Sequence, residues 1–156
     1  MSRYSCGFLF DSSFELVVLV KKNRPLWQAG FWNGVGGHIE NNETPYNAVV
    51  REFNEEAGLS ITNWNQFCVL RGLNYEVNFY YSTMDADKIV NIKTLTDEEI
   101  GVWSILATNS PYFKLIDDAK WLIPMAIMHA KTMKTDVFNI SVEPMKKSPQ
   151  GWHYGF

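Results

Sequence analysis

Three glutamates occur at positions whose side chains would share one face of a helix. Glu52, Glu55 and Glu56 follow one another at the spacings i, i+3 and i+4. Side chains at these spacings have Cβ atoms about 5 to 6 Å apart on an α-helix. Carboxylates so close repel one another unless a cation neutralises them, and hard divalent cations take oxygen ligands of this kind. Because surface helices are often rich in Glu, the three residues alone leave a metal site and a solvated face both open.

A longer pattern surrounds these glutamates. Gly37 is followed by five residues and Glu43, and seven further residues lead to the segment 51–59, Arg-Glu-Phe-Asn-Glu-Glu-Ala-Gly-Leu. Every specified position of the Nudix box is present, and average residue frequencies give a chance match of about one in ten million for such a chain. The sequence therefore resembles the Nudix hydrolase family, with weaker similarity along most of its length.

The resemblance implies a set of metal ligands. Gly37 allows a tight turn of its loop, so that its carbonyl can reach a metal, and Glu52, Glu55 and Glu56 would hold Mg²⁺, with Mn²⁺ as the alternative. Glu98 lies five residues before a tryptophan, the spacing of a further metal ligand in relatives that cleave nucleoside triphosphates. An acidic loop is the alternative interpretation of Glu98.

The resemblance also implies the reaction, hydrolysis of a nucleoside diphosphate linked to another group. Water attacks phosphorus, and a carboxylate near the metal takes the proton; Glu52 is the first candidate, with Glu55 and Glu98 open. Arg51 stands four residues before Glu55 and could orient it. Glu43 could reach Arg51 and tie the loop to the helix, or it could merely favour the positive end of that helix.

Local signals predict the helix that carries these side chains. Thr44 suits the N-cap and Pro45 the first helical position, and Gly58 suits the C-terminal stop. Phe53 and Leu59 are apolar positions of the box and would anchor the helix to a sheet. The sequence therefore predicts one amphipathic helix with a charged face.

Three further segments are Ala-Gly-Phe-Trp-Asn-Gly-Val-Gly-Gly at 29–37, Asp-Asp-Ala-Lys-Trp at 117–121 and Phe-Asn-Ile-Ser-Val at 138–142. They resemble one subgroup of the family, the oxidised-purine nucleoside triphosphatases, which cleave 8-oxo-dGTP to the monophosphate and pyrophosphate. In that subgroup Asn33 would bind the base, Asp117 and Asp118 the purine edge, and Trp27 would lie against the ring. The alternatives are that Asn33 shapes a turn, that the aspartates cap a helix, and that Trp27 is a surface anchor.

The chain departs from that subgroup at three positions. Leu115 replaces a tryptophan that stacks on the base, Asn23 replaces a lysine near the phosphates, and His38 stands where lysine is common. The base could be held differently, or the substrate could be ADP-ribose, a dinucleoside polyphosphate or another nucleotide-diphosphate derivative. A non-catalytic module that senses a nucleotide is a third hypothesis, although such modules usually lose box glutamates.

The family resemblance implies an α/β fold, an α/β/α sandwich with a mixed central sheet. A second helix is predicted over Asp117–Lys131; because Pro124 lies inside it, the helix would start as late as Ile123 or kink. Three glycines between 34 and 37 are poor strand material and indicate a bend or a close approach of the backbone. The predicted strands, the first two forming a hairpin, are Tyr4–Phe10, Leu16–Val20, Gln66–Gly72, Val77–Thr83, Ile100–Ile105 and Phe138–Val142.

The overall composition limits the class of protein. The 156 residues carry a formal net charge of -3, with 46% hydrophobic and 20% charged residues, which excludes a disordered or fibrous chain. The length predicts a single domain over 1–156, and the acidic balance argues against a nucleic-acid polymer as partner. Two separated cysteines and no apparent signal peptide or membrane span predict a cytoplasmic protein. The family resemblance implies a small nucleotide as its partner.

Overall fold

The computed structural model describes residues 1–143; the tail 144–156, to which the sequence assigns no element, lies outside the described residues. The described part contains four α-helices and a short 3₁₀ helix, Leu26–Gln28. The α-helices are α1 Pro45–Ala57, α2 Ala86–Ile89, α3 Ile105–Thr108 and α4 Ala119–Lys131. The strands are β1 Ser2–Asp11, β2 Leu16–Lys21, β3 Trp32–Asn33, β4 Val35–His38, β5 Asn65–Arg71, β6 Tyr75–Met84, β7 Ile100–Ser104 and β8 Phe138–Ser141.

All eight strands of the described chain join one mixed sheet in the order β3-β2-β1-β6-β5-β8, with β4 paired to β1 and β7 paired to β2. The β1–β6 and β5–β8 pairs are parallel and the others antiparallel. The predicted hairpin is confirmed, since Leu9 pairs with Val18. The first half of β1 pairs with β4 instead, and the end of β2 pairs with β3. The segment 32–38 therefore lies between the diverging ends of β1 and β2.

Two apolar layers, one on each face of the sheet, confirm the predicted α/β/α sandwich. Successive strand residues face opposite ways, so that Phe8 packs with the α4 layer and Leu9 with the α1 layer. From α1 the buried residues Val49, Phe53 and Ala57 enter one layer. From α4 the other layer receives Ala119, Leu122, Ile123 and Ala126.

Helix α1 begins and ends as its sequence predicts. The Thr44 side chain accepts a hydrogen bond from the Asn47 N–H at 3.1 Å, and Pro45 is the first helical residue. Gly58 adopts a left-handed φ of 70° and donates its N–H to the Asn54 carbonyl at 3.0 Å. Only glycine takes this conformation without a steric cost, so the helix end is set by local chemistry.

Helix α4 starts at Ala119, two residues after the predicted start at Asp117, so the alternative of a start as late as Ile123 is wrong. Pro124 lies inside the helix and cannot donate to the carbonyl of Lys120, four residues earlier. The neighbouring Leu122 is buried against the sheet. Burial of an apolar face outweighs the lost hydrogen bond, because full burial of one such side chain contributes about 1.5 to 3 kcal/mol.

The glycine-rich segment differs from its prediction in one respect. Val35–His38 is a strand despite two glycines, and Gly36 pairs with Cys6 across the ladder. A Cβ at Gly36 would collide with the carbonyl of Ser5. The close approach is therefore as expected, but the approaching backbone stays extended.

The remaining strand boundaries differ from prediction by one or two residues. β5 begins one residue before Gln66, β6 begins at Tyr75 rather than Val77, and β7 ends at Ser104. None of the helices in residues 1–143 has the length and apolarity of a bilayer crossing.

Candidate active site

A cleft of about 890 Å³ opens where β1 and β2 diverge. Its lining falls into two groups of side chains. One, the glutamate group, combines charges of both signs and contains Lys22, Arg51, Glu52, Glu56 and Glu98. The other, the pocket group, is mostly apolar and contains Trp27, Asn33, Leu70, Val77, Phe79, Ile116, Asp118 and Leu122.

Arg51 makes more hydrogen bonds than any other side chain of the glutamate group. Its guanidinium binds Glu43 at two points, with Nε 2.8 Å from Oε1 and Nη2 3.0 Å from Oε2. Nη1 also donates to Glu52 at 2.9 Å and to Glu55 at 3.3 Å, and Nη2 donates to the His38 carbonyl at 3.0 Å. The hydrogen bond from Arg51 lowers the pKa of the Glu43 carboxyl. Arg51 on α1 therefore binds both the end of β4 and Glu43. Of the two roles left open for Glu43, this is the first, in which it connects the preceding loop to the helix.

Glu52 lies against Gly37 of β4. A Cβ at Gly37 would lie 2.5 Å from Glu52 Oε1, so any other residue there would push the carboxylate out of its observed position. Burial raises the pKa of Glu52, while its bond to Arg51 opposes that shift. Glu55, by contrast, keeps 54% of its side chain exposed and is outside the cleft lining.

Glu56 is the least compensated carboxylate of the site. The residue is only 8% exposed, and its Oε2 has no hydrogen-bond partner among residues 1–143. Burial raises the pKa of Glu56 to about 7; the negative charges of Glu52, Glu98 and Glu55 add to the shift and Lys22 opposes it. An unpaired buried oxygen costs about 1 to 3 kcal/mol, more when charged, so this position favours a bound cation.

Glu98 enters the same cleft from the segment before β7. It is 6% exposed, and both of its oxygens are engaged. Lys22 Nζ lies 2.8 Å from Oε1, and the Asn23 N–H donates to Oε2 at 2.5 Å. The structure thus brings Glu98 together with Glu52 and Glu56, as the metal-ligand interpretation requires.

The donor set fits a hard divalent cation. Glu56 offers an unpaired carboxylate oxygen, and the lack of a Cβ at Gly37 in β4 lets the Glu52 carboxylate approach that strand closely. Oxygen ligands of this type suit Mg²⁺. Within residues 1–143, however, no three acidic, histidine or cysteine side chains converge closely enough to form a ready-made site. The reason lies in the ion pairs, since Arg51 holds Glu52 and Lys22 holds Glu98.

The two adjacent aspartates occupy different environments. Asp118 lines the cleft, and its side chain makes no capping hydrogen bond at the start of α4. Partial desolvation, followed by the charge of Asp117, raises the pKa of Asp118. Asp117 does not line the cleft; its side chain is 93% exposed and pairs with Lys120 at 3.0 Å. The structure therefore brings one of the two predicted purine-binding carboxylates to the site and leaves the other outside.

Asn33 and Trp27 both reach the cleft. Asn33 Oδ1 accepts the Gly34 N–H at 2.8 Å, so it shapes the local turn as well as lining the cavity. Trp27 stands on the 3₁₀ helix and is 69% exposed, which leaves its ring surface free for contact.

The departures from the subgroup also have clear structural settings. Leu115 is buried under the strand contact with Trp32 and contributes nothing to the cleft lining. His38 lines the cleft, with its ring centroid 4.4 Å from that of Tyr4. Asn23 faces the acidic segment, donating its amide to the Asp97 carbonyl at 2.7 Å.

A profile of the NUDIX domain matches residues 3–136, which is most of the chain. The chain belongs to the NUDIX family. That assignment agrees with the sandwich fold, and it includes every described residue that carries the site.

The individual relatives of this NUDIX chain match it either over a short segment or at low sequence identity. An 8-oxo-dGTP diphosphatase of Proteus vulgaris is 49% identical over 41 residues, which span 25% of this chain and 37% of that enzyme. A structure from a study of MutT from Aliivibrio salmonicida and Vibrio cholerae has a TM-score of 0.63 at 19% identity, covering 81% of this chain and 96% of the other. The NUDIX domain of Shewanella oneidensis NrtR, complexed with ADP ribose, gives 0.69 at 17% identity, covering 82% and 87%. At these identities the two structures show a shared fold.

Lys22 is the site residue of this NUDIX domain that the motif did not reveal. It lies just after β2, outside the box, and contacts Glu98 from 76 positions away. The available signal was electrostatic, because several carboxylates in one place require a cation nearby. Cys6 also lines the cleft; both cysteines, Cys6 and Cys68, are free and buried.

Proposed function

We propose that this chain is a divalent-metal-dependent pyrophosphohydrolase of nucleoside triphosphates, releasing a nucleoside monophosphate and pyrophosphate. The main support is that Glu56, with an unpaired buried oxygen, shares one cleft with Glu52 and Glu98. The same cleft contains Asn33 and Asp118, polar groups suited to a purine edge. Phosphate chemistry and base recognition would thus be adjacent.

Each charged residue has a proposed task. Glu56, Glu98, Glu52 and the Gly37 carbonyl would hold Mg²⁺ or Mn²⁺, which supplies electrophilic stabilisation of phosphate charge when bound. Glu55 stays a proposed ligand, although its carboxylate turns toward Arg51.

Glu52 would also serve as the base. Its oxygen would take a proton from the attacking water as the new P–O bond forms and pyrophosphate departs with the bonding pair. Arg51 holds Glu52 at 2.9 Å and so fixes its direction. The raised pKa that burial gives Glu52 makes it a better proton acceptor than an exposed glutamate.

The proposed substrate is a purine deoxynucleoside triphosphate such as 8-oxo-dGTP. Support comes from the local similarity to the Proteus vulgaris 8-oxo-dGTP diphosphatase and from Asn33 and Asp118 in the cleft. Because Leu115 is buried in the core, the stacking tryptophan of the subgroup has no counterpart there. We therefore expect a weaker preference for the oxidised base, with unmodified purine triphosphates also accepted.

A second candidate substrate is ADP-ribose. The similar fold of a NUDIX domain complexed with ADP ribose favours it, and Trp27 could stack on an adenine. A non-catalytic nucleotide sensor has less support, because all box glutamates are present. A cytoplasmic location belongs to the same proposal, since both cysteines are free, as in a reducing compartment.

The decisive experiment is a substrate panel with Mg²⁺ and with EDTA, the products being separated by ion exchange. We expect 8-oxo-dGTP, dGTP and dATP to yield monophosphate and pyrophosphate only with metal, and ¹⁸O water to identify the phosphorus that is attacked. Release of inorganic phosphate as the primary product, or unchanged turnover in EDTA, would contradict the proposal. Much faster cleavage of ADP-ribose than of any triphosphate would instead support ADP-ribose as the substrate.

A further inference from the structure

Lys22 is held by its backbone and extends a single charge into the glutamate group. Its N–H donates to the Phe31 carbonyl at 2.8 Å, and its carbonyl accepts the Gly30 N–H at 2.8 Å. The side chain is 16% exposed and ends 2.8 Å from Glu98 Oε1. The main chain of Lys22 is thus fixed, while its flexible four-carbon side chain can bring the ammonium to different acceptors nearby.

The charges of the glutamate group are not balanced. Within the group three carboxylates, Glu52, Glu56 and Glu98, face two cationic side chains, and Arg51 also binds Glu43. Of the other charges that line the cleft, Arg24 pairs with Asp97 outside the lining, and Glu40 lies 3.9 Å from Arg51. Lys22 and the Asn23 N–H each take one hydrogen-bonding site on Glu98, one on each oxygen, so a metal at Oε1 would compete with the ammonium for that oxygen's charge. A divalent cation beside Glu56 and Glu98 would also repel the ammonium group directly.

We propose that Lys22 is an exchangeable counter-ion, which neutralises Glu98 before metal binds and is then displaced toward the phosphates of the substrate. The destination rests on the proposed function; the displacement rests on the contact of Lys22 with Glu98 and on the metal ligands that the same proposal assigns. Its ammonium lines the cleft, so a short rotation of the arm exposes three donors to an anionic ligand. Lys22 thereby couples metal loading to phosphate capture and is a positioning residue.

The adjacent lysine provides a matched control. Lys21 is exposed and faces a separate shallow cavity of about 400 Å³ with Trp32 and Trp103. Its side chain has no acidic partner within residues 1–143. Lys21→Met therefore removes the same charge one residue away without touching the glutamate group.

The test is titration of the nucleotide-free protein with Mn²⁺, with free metal measured by electron paramagnetic resonance. Removal of a competing charge at contact distance should make Lys22→Met bind Mn²⁺ about tenfold more tightly than wild type. Lys22→Arg and Lys21→Met should stay within about twofold. Unchanged or weaker Mn²⁺ binding by Lys22→Met would overturn the proposal, since Lys22 would then be a structural support rather than a competitor.

A second titration tests the destination of the ammonium. With Mn²⁺ saturating, inorganic pyrophosphate should bind Lys22→Met about tenfold more weakly than wild type, and Lys21→Met should bind it normally. Equal pyrophosphate affinity would overturn the capture step. Both titrations are independent of turnover, so they separate this inference from a failure of the proposed hydrolase activity.

Folding is checked by circular dichroism before either titration. Loss of Lys22 leaves the buried Glu98 carboxylate with no counter-charge and with only the Asn23 N–H as its partner, so we expect Lys22→Met to melt at a lower temperature without metal and to gain more from Mn²⁺ than wild type. If Lys22→Met does not fold, Lys22→Gln retains a neutral donor to Glu98 and replaces it in the same comparison.

Discussion

The two groups of side chains that line the cleft are constructed in opposite ways. In the glutamate group, α1 alone supplies Arg51, Glu52 and Glu56, and nearly every charge contacts another. The pocket group collects Trp27 from the 3₁₀ helix and Asp118 from the start of α4, and these polar and aromatic surfaces are left largely without partners.

We expect the glutamate group to govern binding of charged ligand groups and the pocket group to govern recognition of ligand shape. Charges that are buried together interact strongly, so one change in the glutamate group should alter both chemistry and stability. Asp118 makes no capping hydrogen bond and Trp27 is 69% exposed. Changes in the pocket group should therefore alter selectivity or affinity while leaving the fold nearly untouched.

The largest effect is expected from Glu56→Gln. Loss of a charged oxygen ligand should reduce kcat/KM with Mg²⁺ by about 10³-fold or more. The measurement is the rate of pyrophosphate release for the variant and wild type at saturating Mg²⁺. Full activity would remove Glu56 from the metal site and reduce the contrast between the two groups.

The same variant has a predicted pH signature in EDTA. Because burial raises the pKa of Glu56 from 4.5 to about 7, the folded protein keeps a proton that the unfolded chain releases. The contribution of Glu56 to wild-type stability should therefore fall as pH rises from about 4.5 through about 7, by at most about 3.4 kcal/mol. Glu56→Gln should escape this loss, so its melting temperature should exceed that of wild type at pH 8 and match it near pH 4.5. An equal difference at both pH values would contradict the assignment.

An intermediate effect is expected from Asp118→Asn, with Asp117→Asn as its matched control. The change keeps the shape and exchanges an acceptor for a donor, so the ratio of kcat/KM values for 8-oxo-dGTP, dGTP and dATP should shift by about 5- to 150-fold. Asp117 lies outside the cleft, and Asp117→Asn should change each value by less than about threefold. Equal losses on all three nucleotides would argue against a purine pocket around Asp118.

The smallest effect is expected from Trp27→Ala. Loss of one stacking contact should raise KM by roughly 5- to 10-fold without changing kcat. Because the residue is mostly exposed, the free energy of unfolding should stay within about 0.5 kcal/mol. Leu26→Ala is the control, since Leu26 is 91% exposed on the same short helix and does not line the cleft. A similar KM change in both variants would attribute the effect to the 3₁₀ helix and not to the indole ring of Trp27.

Much of the glutamate group was predictable because the contacts that form its helix lie between residues close in sequence. Thr44, Pro45 and Gly58 fix the ends of α1 through contacts within a few residues, and the helical period then determines that Glu52 and Glu56 share a face. The layered fold followed from resemblance to the family. The start of α4 was harder, since burial of Leu122 competes with the cost of Pro124, and propensity alone does not weigh the two.

The sequence by itself determined the family, the helix that carries the carboxylates and the identity of the candidate ligands, because these depend on spacing along one segment. Only the tertiary structure decided that Lys22 neutralises Glu98 across 76 positions, that Leu115 is buried, and that Asp118 rather than Asp117 lines the cleft. Such choices depend on how strands pair and how α4 is oriented on the sheet. Neighbouring residues on a chain can face opposite environments, and only packing selects which of them faces the ligand.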